Sequence, residues 1–198
     1  MNKILNIGID FLDKKKIEVV RDFLIFFLTY CIIGWIYEEL VFAIEEDIIV
    51  NRGFLFGPWL PIYGIGGLLI TLIFYRVKDK PAKLGKINFR PLIIYFESVI
   101  LSTVVELLST YIIDFCGGNF RNLWDYSGEF MNFQGRIALI PDAKFGIIAL
   151  LAIYIVQPIL KKFISTNQKK INILTISILA LFLVDLIARI WLGSNFVG

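Results

Sequence analysis

Run length of apolar residues constrains this chain more than any other feature. Phe23–Ile44, Leu92–Ile113 and Ile171–Leu192 each hold 22 residues in which charge is rare, and Gly53–Tyr75 is 23 residues with none. A fifth apolar stretch runs from about Ile137 to Leu160, with Asp142 and Lys144 near its start. About 20 such residues cross a ~30 Å hydrocarbon slab as a helix. Inside lipid the backbone must satisfy its own hydrogen bonds, which favours helices over open strands. The chain therefore reads as all-α, a polytopic membrane helix bundle with about five transmembrane helices. A hydrophobic fraction of 58 % and a mean hydropathy of +0.76 agree with that class.

Residues 23–198 read as a single transmembrane domain, preceded by a basic segment over 1–22. Ile4, Ile7, Phe11 and Leu12, among Lys14–Lys16 and Arg21, fit a short interfacial helix or a disordered basic tail. The first apolar run begins only at Phe23 and no A-x-A-like site follows it, so no cleavable signal peptide is expected.

Charge placement sets the expected orientation. Lys and Arg number five before the first span, six between Arg76 and Arg90 and four between Lys161 and Lys170, fifteen of the twenty in the chain. The positive-inside rule then puts the N-terminus in the cytoplasm and, after five spans, the C-terminus outside a cell membrane. These basic clusters are topological signals, so no nucleic-acid partner is expected. The chain has no histidine, which removes His-based zinc, haem and Ser-His-Asp chemistry. No metal site or cofactor is expected. No G-x-x-x-x-G-K loop exists, so the chain is not expected to hydrolyse ATP itself. Cys31 in mid-span and Cys116 at an outer loop lie at different depths and are not expected to pair.

Three carboxylates interrupt the spans at one level. From Phe23, Leu92 and Ile171, a rise of about 1.5 Å per residue carries Glu38, Glu106 and Asp185 roughly 21–23 Å up their helices. Each ionised acid at that depth costs ~2.5–3.5 kcal/mol even on the lenient insertion scale. A shared polar chamber would offset the cost. Tyr30, Gly34 and Glu38 share one face of the first span. Ser98, Ser102, Glu106 and Ser109 form the most polar stripe within any span. Asp185 and Arg189 stand at i,i+4, an intrahelical ion pair. With Arg52, Arg136 and Arg189 as the nearby cations, acids outnumber bases. Glu106 among its serines is then the acid expected to be protonated or to hold a cation or polar ligand.

Two irregular regions flank the spans. Asn51–Gly67 holds two prolines and five glycines, poor material for a regular helix yet too apolar for a solvated loop. It reads either as a re-entrant Gly/Pro-rich segment or as a turn followed by a packing helix from about Pro61 to Tyr75. The outer loop Asp114–Pro141 places Asp125, Tyr126, Asn132, Gln134 and Arg136 beside the next span.

The motifs Asn51-Arg52-Gly53-Phe54-Leu55-Phe56-Gly57-Pro58 with Pro61-Ile62-Tyr63-Gly64, Trp124-Asp125-Tyr126-Ser127, and Asn132-Phe133-Gln134-Gly135-Arg136-Ile137 resemble the ABC-transporter type IV permease family (CmpB-like integral membrane proteins). Gly34-Trp35 and Glu38 are similar to that family's opening. The resemblance covers about Phe23 to Pro158. At Asp142–Phe145 the chain departs from it, reading Asp-Ala-Lys-Phe where the family tends to show a Ser and a Trp-Gly.

The resemblance implies the membrane part of a transporter, partnered by a separate ATPase subunit. The residues themselves leave three functions open. A permease or substrate-capturing component would bind a polar or charged small solute in an outward-facing chamber. Its lining would be Glu38, Arg52, Tyr63, Glu106, Asp125, Tyr126, Asn132, Gln134, Arg136, Asp185 and Arg189. A membrane-embedded enzyme would act on a lipid or lipid-linked substrate at the outer leaflet, with carboxylates for acid–base chemistry and arginines on a phosphate or lipid headgroup. An assembly partner would use its buried charges only to fix helix register. In every case the lipid bilayer is the solvent. The inner loops Arg76–Arg90 and Lys161–Lys170 are short, basic and poor in apolar docking residues.

Overall fold

A computed structural model describes residues 6–7, 9–10, 16–45, 53–75, 77–166 and 168–192. Its elements in chain order are β1 (Asn6–Ile7), β2 (Ile9–Asp10), α1 (Lys16–Glu45), α2 (Pro61–Phe74), β3 (Lys83–Leu84), β4 (Ile87–Asn88), α3 (Arg90–Phe115), a single 3-10 turn at Phe120–Asn122, α4 (Leu139–Leu151), α5 (Gln157–Thr166) and α6 (Gln168–Leu192). A π turn at Ala152–Val156 joins α4 to α5.

Among the described residues, four helical stretches are long and apolar enough to cross a bilayer: Lys16–Ile44, Arg90–Phe115, Leu139–Thr166 and Gln168–Leu192. The third exceeds its sequence-based limits because the π turn absorbs an irregularity without ending the helix. The 23-residue apolar run behaves differently. Only its 14-residue C-terminal part, Pro61–Phe74, is helical. At 1.5 Å per residue that helix is about 21 Å long, short of a full crossing. Pro61 supplies its first helical position, where a missing N–H costs nothing. Residues 53–60 before it are irregular. Ile4, Phe11 and Leu12 of the expected interfacial segment lie outside the described residues, while β1 and β2 pair antiparallel.

The chain divides into two compact units, Met1–Leu69 with Ile159–Gly198, and Ile70–Pro158. In the first, α1 packs on α6 and the irregular stretch 53–60 buries Leu55 and Trp59 against Leu28, Cys31 and Phe182. Phe182 meets Phe27 and Trp59 edge-on, with ring centroids 5.9 and 5.7 Å away. This packing makes an irregular segment part of the core. Small residues let α1 and α2 approach closely, since a Cβ at Gly34 would enter the Tyr63 ring and one at Gly67 would enter Tyr30.

The polar start of α1 is also buried. Arg21 donates from Nη2 to Asp22 Oδ1 (2.6 Å) and from Nη1 to Gln168 Oε1 (2.5 Å) and Asn172 Oδ1 (2.8 Å). Arg21 and Asp22 are 7 % and 2 % exposed, so the knot satisfies charges that water does not reach. It also fixes α1 and α6 side by side with their N-terminal ends together.

In the second unit, α3 and α4 pack through Ile94, Ala149 and Ile153, with Ile70 and Phe74 of α2 completing the cluster. Gly146 makes the contact close, because a Cβ there would meet Val99 and Tyr95.

Candidate functional site

Each unit builds its own polar site around acids embedded in apolar helices.

In the first unit, Asp185 of α6 is held by backbone donors. The Phe56 N–H donates to its Oδ1 (3.0 Å) and the Gly57 N–H to its Oδ2 (2.7 Å). The carboxylate therefore serves the irregular stretch, supplying acceptors to amides that have no helical partner. A Cβ at Gly57 would lie 2.9 Å from Asp185 Oδ2 and against the Trp59 indole nitrogen, so only glycine brings this amide so near. One turn on, the Arg189 guanidinium lies 5.0 and 5.2 Å from the rings of Phe54 and Phe56. The expected Asp185 and Arg189 are thus both engaged with the Gly/Pro-rich segment. Glu38 of α1 accepts a hydrogen bond from the Tyr63 hydroxyl of α2, and Tyr63 also packs on Tyr37. Arg52 lies outside the described residues.

In the second unit, the stripe on α3 faces inward. Ser98, Glu106 and Thr110 are buried together with Ile94. Ser109 and Thr103 return their hydroxyl protons to carbonyls of their own helix, at Val105 (2.7 Å) and Val99 (2.9 Å). Glu106 does more. It accepts from the Tyr126 hydroxyl of the 116–138 loop at 3.1 Å, and the Asp142 carboxyl of α4 lies beside it. Glu106 and Asp142 are each 6 % exposed, and Asp142 Oδ1 has no hydrogen-bond partner among the described residues.

The loop above this pair is a tied structure. Arg121 donates to Asp125 Oδ2 (2.6 Å) and to the Ser127 hydroxyl (2.8 Å), while Ser127 donates from its backbone N–H to Asp125 Oδ1 (3.0 Å). The Ser127 hydroxyl beside Asp125, followed by Arg121, holds that carboxyl below the ordinary aspartate range. Asn132 donates to the carbonyls of Ser127 and Glu129 and accepts from the Gly135 N–H at 3.1 Å. Gln134 and Gly135 both take positive φ, 57° and 69°. A Cβ at Gly135 would meet Ser127 Oγ and Asp125 Oδ1, so the turn needs glycine for conformation and for space. Arg136 pairs with Asp114 (2.6 Å) and stacks on Phe120 and Tyr111, with centroids 4.1 and 4.5 Å away. Of the expected loop residues, Asp125, Asn132 and Arg136 are thus bound up in holding the loop. Tyr126 is the residue that reaches inward.

The family model described as "Putative ABC-transporter type IV" matches residues 25–190, more than four-fifths of the chain. The chain belongs to this family. No curated protein and no solved structure matches it. Family and helices together make it a multi-pass membrane protein and a component of a membrane transporter. The match includes both polar sites and the loop between Asp114 and Pro141.

Sequence reasoning missed the importance of Asp142. It noted the acid near the start of a span but did not place it in the candidate site. One signal was available: Asp142 is an acid within the opening turn of an apolar helix that also carries few other charges. Asp22 was not singled out at all, and Arg21 only as one of the basic residues before the first span.

Proposed function

We propose that this family member is the solute-capturing membrane component of its transporter, with a polar chamber opening to the outer face and a separate ATPase subunit supplying energy. The observation that carries the reading is the Glu106–Asp142 pair under Tyr126. Glu106 lies nine residues before the end of α3, about 13 Å inside the helix. An ionised acid there costs roughly 2.5–3.5 kcal/mol, and a second beside it would add mutual repulsion. Sharing a proton relieves both costs. The pair then presents a donor, an open acceptor at Asp142 Oδ1 and a tyrosine hydroxyl, a set that suits a polar solute with hydrogen-bonding groups of both kinds.

The orientation rests on the positive-inside rule, which puts the basic ends of α1, α3 and α6 in the cytoplasm and the 116–138 loop outside. On that reading Tyr126 stands between the exterior and the buried pair. The test is native mass spectrometry of the protein purified in mild detergent, comparing the parent chain with Glu106→Gln and Asp142→Asn. A polar molecule carried by the parent and lost from both variants, with unchanged melting, is the expected result. Parent and variants that all emerge without a bound molecule, with transport phenotype intact, would overturn the reading. A bound lipid recovered chemically altered would favour the enzyme instead.

A further inference from the structure

The connection between α2 and α3 is more organised than a loop of topological charges. It folds into a ribbon in which Lys83 pairs with Asn88 and Leu84 with Ile87. Gly85, at φ 64°, makes the turn. Directly opposed residues share one face of a two-stranded ribbon. Leu84 and Ile87 therefore stand side by side, 76 % and 61 % exposed. The inner loop does have few apolar residues, but folding concentrates two of them on a single small face.

The ribbon is fixed at its root. The Phe89 N–H donates to the Ala82 carbonyl (2.9 Å), and Asn88 Oδ1 accepts from the backbone N–H groups of Ala82 (3.2 Å) and Arg90 (3.1 Å). Arg90 Nε donates to the Lys80 carbonyl at 2.6 Å. Arg90 is also the first residue of a 26-residue span. The ribbon is thus tied to the point where a transmembrane helix leaves the bilayer. Among residues 77–90 the charges are Lys78, Lys80, Lys83, Lys86 and Arg90 against Asp79 alone. Lys78 is occupied, with Nζ 4.8 Å from the Tyr75 ring and 3.7 Å from Asp79. Lys80, Lys83 and Lys86 are exposed.

We propose that this ribbon is a lipid-docking surface: Leu84 and Ile87 seat in the interfacial layer of the adjoining leaflet while Lys80, Lys83 and Lys86 engage anionic phospholipid headgroups. Apolar contact and positive charge reinforce each other when both reach one surface. An amide-anchored ribbon loses little freedom on seating. Each lysine near an anionic surface shifts the seated-to-unseated ratio by about fivefold, so three together give roughly a hundredfold.

The test places a reporter at the face, Leu84→Trp, in the full chain reconstituted into nanodiscs of brominated phosphatidylcholine with and without phosphatidylglycerol. Emission of the parent, which has four tryptophans, is subtracted. The expected result is a blue-shifted, quenched added signal when phosphatidylglycerol is present. Lys80→Gln, Lys83→Gln and Lys86→Gln combined should remove most of it, as should high salt. An added signal that stays water-like and unquenched in both lipids, in protein of native helix content, would overturn the proposal. So would unchanged quenching in the triple variant accompanied by loss of a copurifying ATPase subunit, which would make the ribbon a protein dock.

Discussion

Asp185 and Glu106 are both acids within apolar helices, yet the chain handles them in opposite ways. Asp185 receives two fixed backbone N–H groups from Phe56 and Gly57. Those donors tie the acid to the architecture of the 53–60 stretch. Glu106 faces another acid, Asp142, and a mobile-proton donor, Tyr126. None of its contacts among these fixes a charge, because each hydroxyl or carboxyl can move its proton. The difference separates an acid that holds a fold from one that can exchange protons or partners. Depth in the membrane does not distinguish them; the chemistry of the donors does.

The contrast breaks most directly at Asp185. Asp185→Ala strands the Phe56 and Gly57 amides and should destabilise the protein by on the order of 3 kcal/mol, read as a lower thermal midpoint in detergent. If it melts like the parent, the anchoring role is wrong. Gly57→Ala attacks the same contact from the other side and should cost about 1–3 kcal/mol through overpacking against Asp185 and Trp59. Glu106→Gln should behave differently, changing stability by no more than about 1 kcal/mol because an amide can still donate and accept. Its effect should appear in ligand retention: a polar molecule carried by the parent should be lost from this variant and from Asp142→Asn. A Glu106→Gln protein that melts as early as Asp185→Ala would erase the distinction.

The smallest effect concerns the outer loop. Asp125 is held below the ordinary carboxylate range by Ser127 and Arg121, so its contribution to loop order is present above about pH 4 and is lost as pH falls through its lowered value. Hydrogen exchange over residues 117–137 should accelerate on acidification in the parent. Asp125→Asn should flatten that dependence, and if both proteins respond alike, some other acid governs the loop.

The spans, the polar stripe on α3 and the glycine-rich contact of α2 were legible in the sequence because periodicity and length are local properties. The helix from Pro61 was one of two readings, since Gly and Pro mark where a helix cannot run without saying what covers the interruption. Burial of Leu55 and Trp59 answers that, and it depends on α1 and α6, which are distant in sequence. The loop acids were chemically conspicuous, but charge type alone does not tell a ligand contact from a turn-forming bond. Asp125 and Asn132 proved to be the latter. Asp142 was under-read because its partner is brought to it only by the packing of α3 on α4. Arg21 and Asp22 were under-read because a charge before an apolar run ordinarily meets water.

That last knot has a consequence for how the protein is made. Arg21 finds Gln168 only across a separation of 147 residues. Until α6 is made, Arg21 lacks its Gln168 and Asn172 acceptors, so a chain truncated before Gln168 should hold α1 less firmly and be a substrate for membrane quality control.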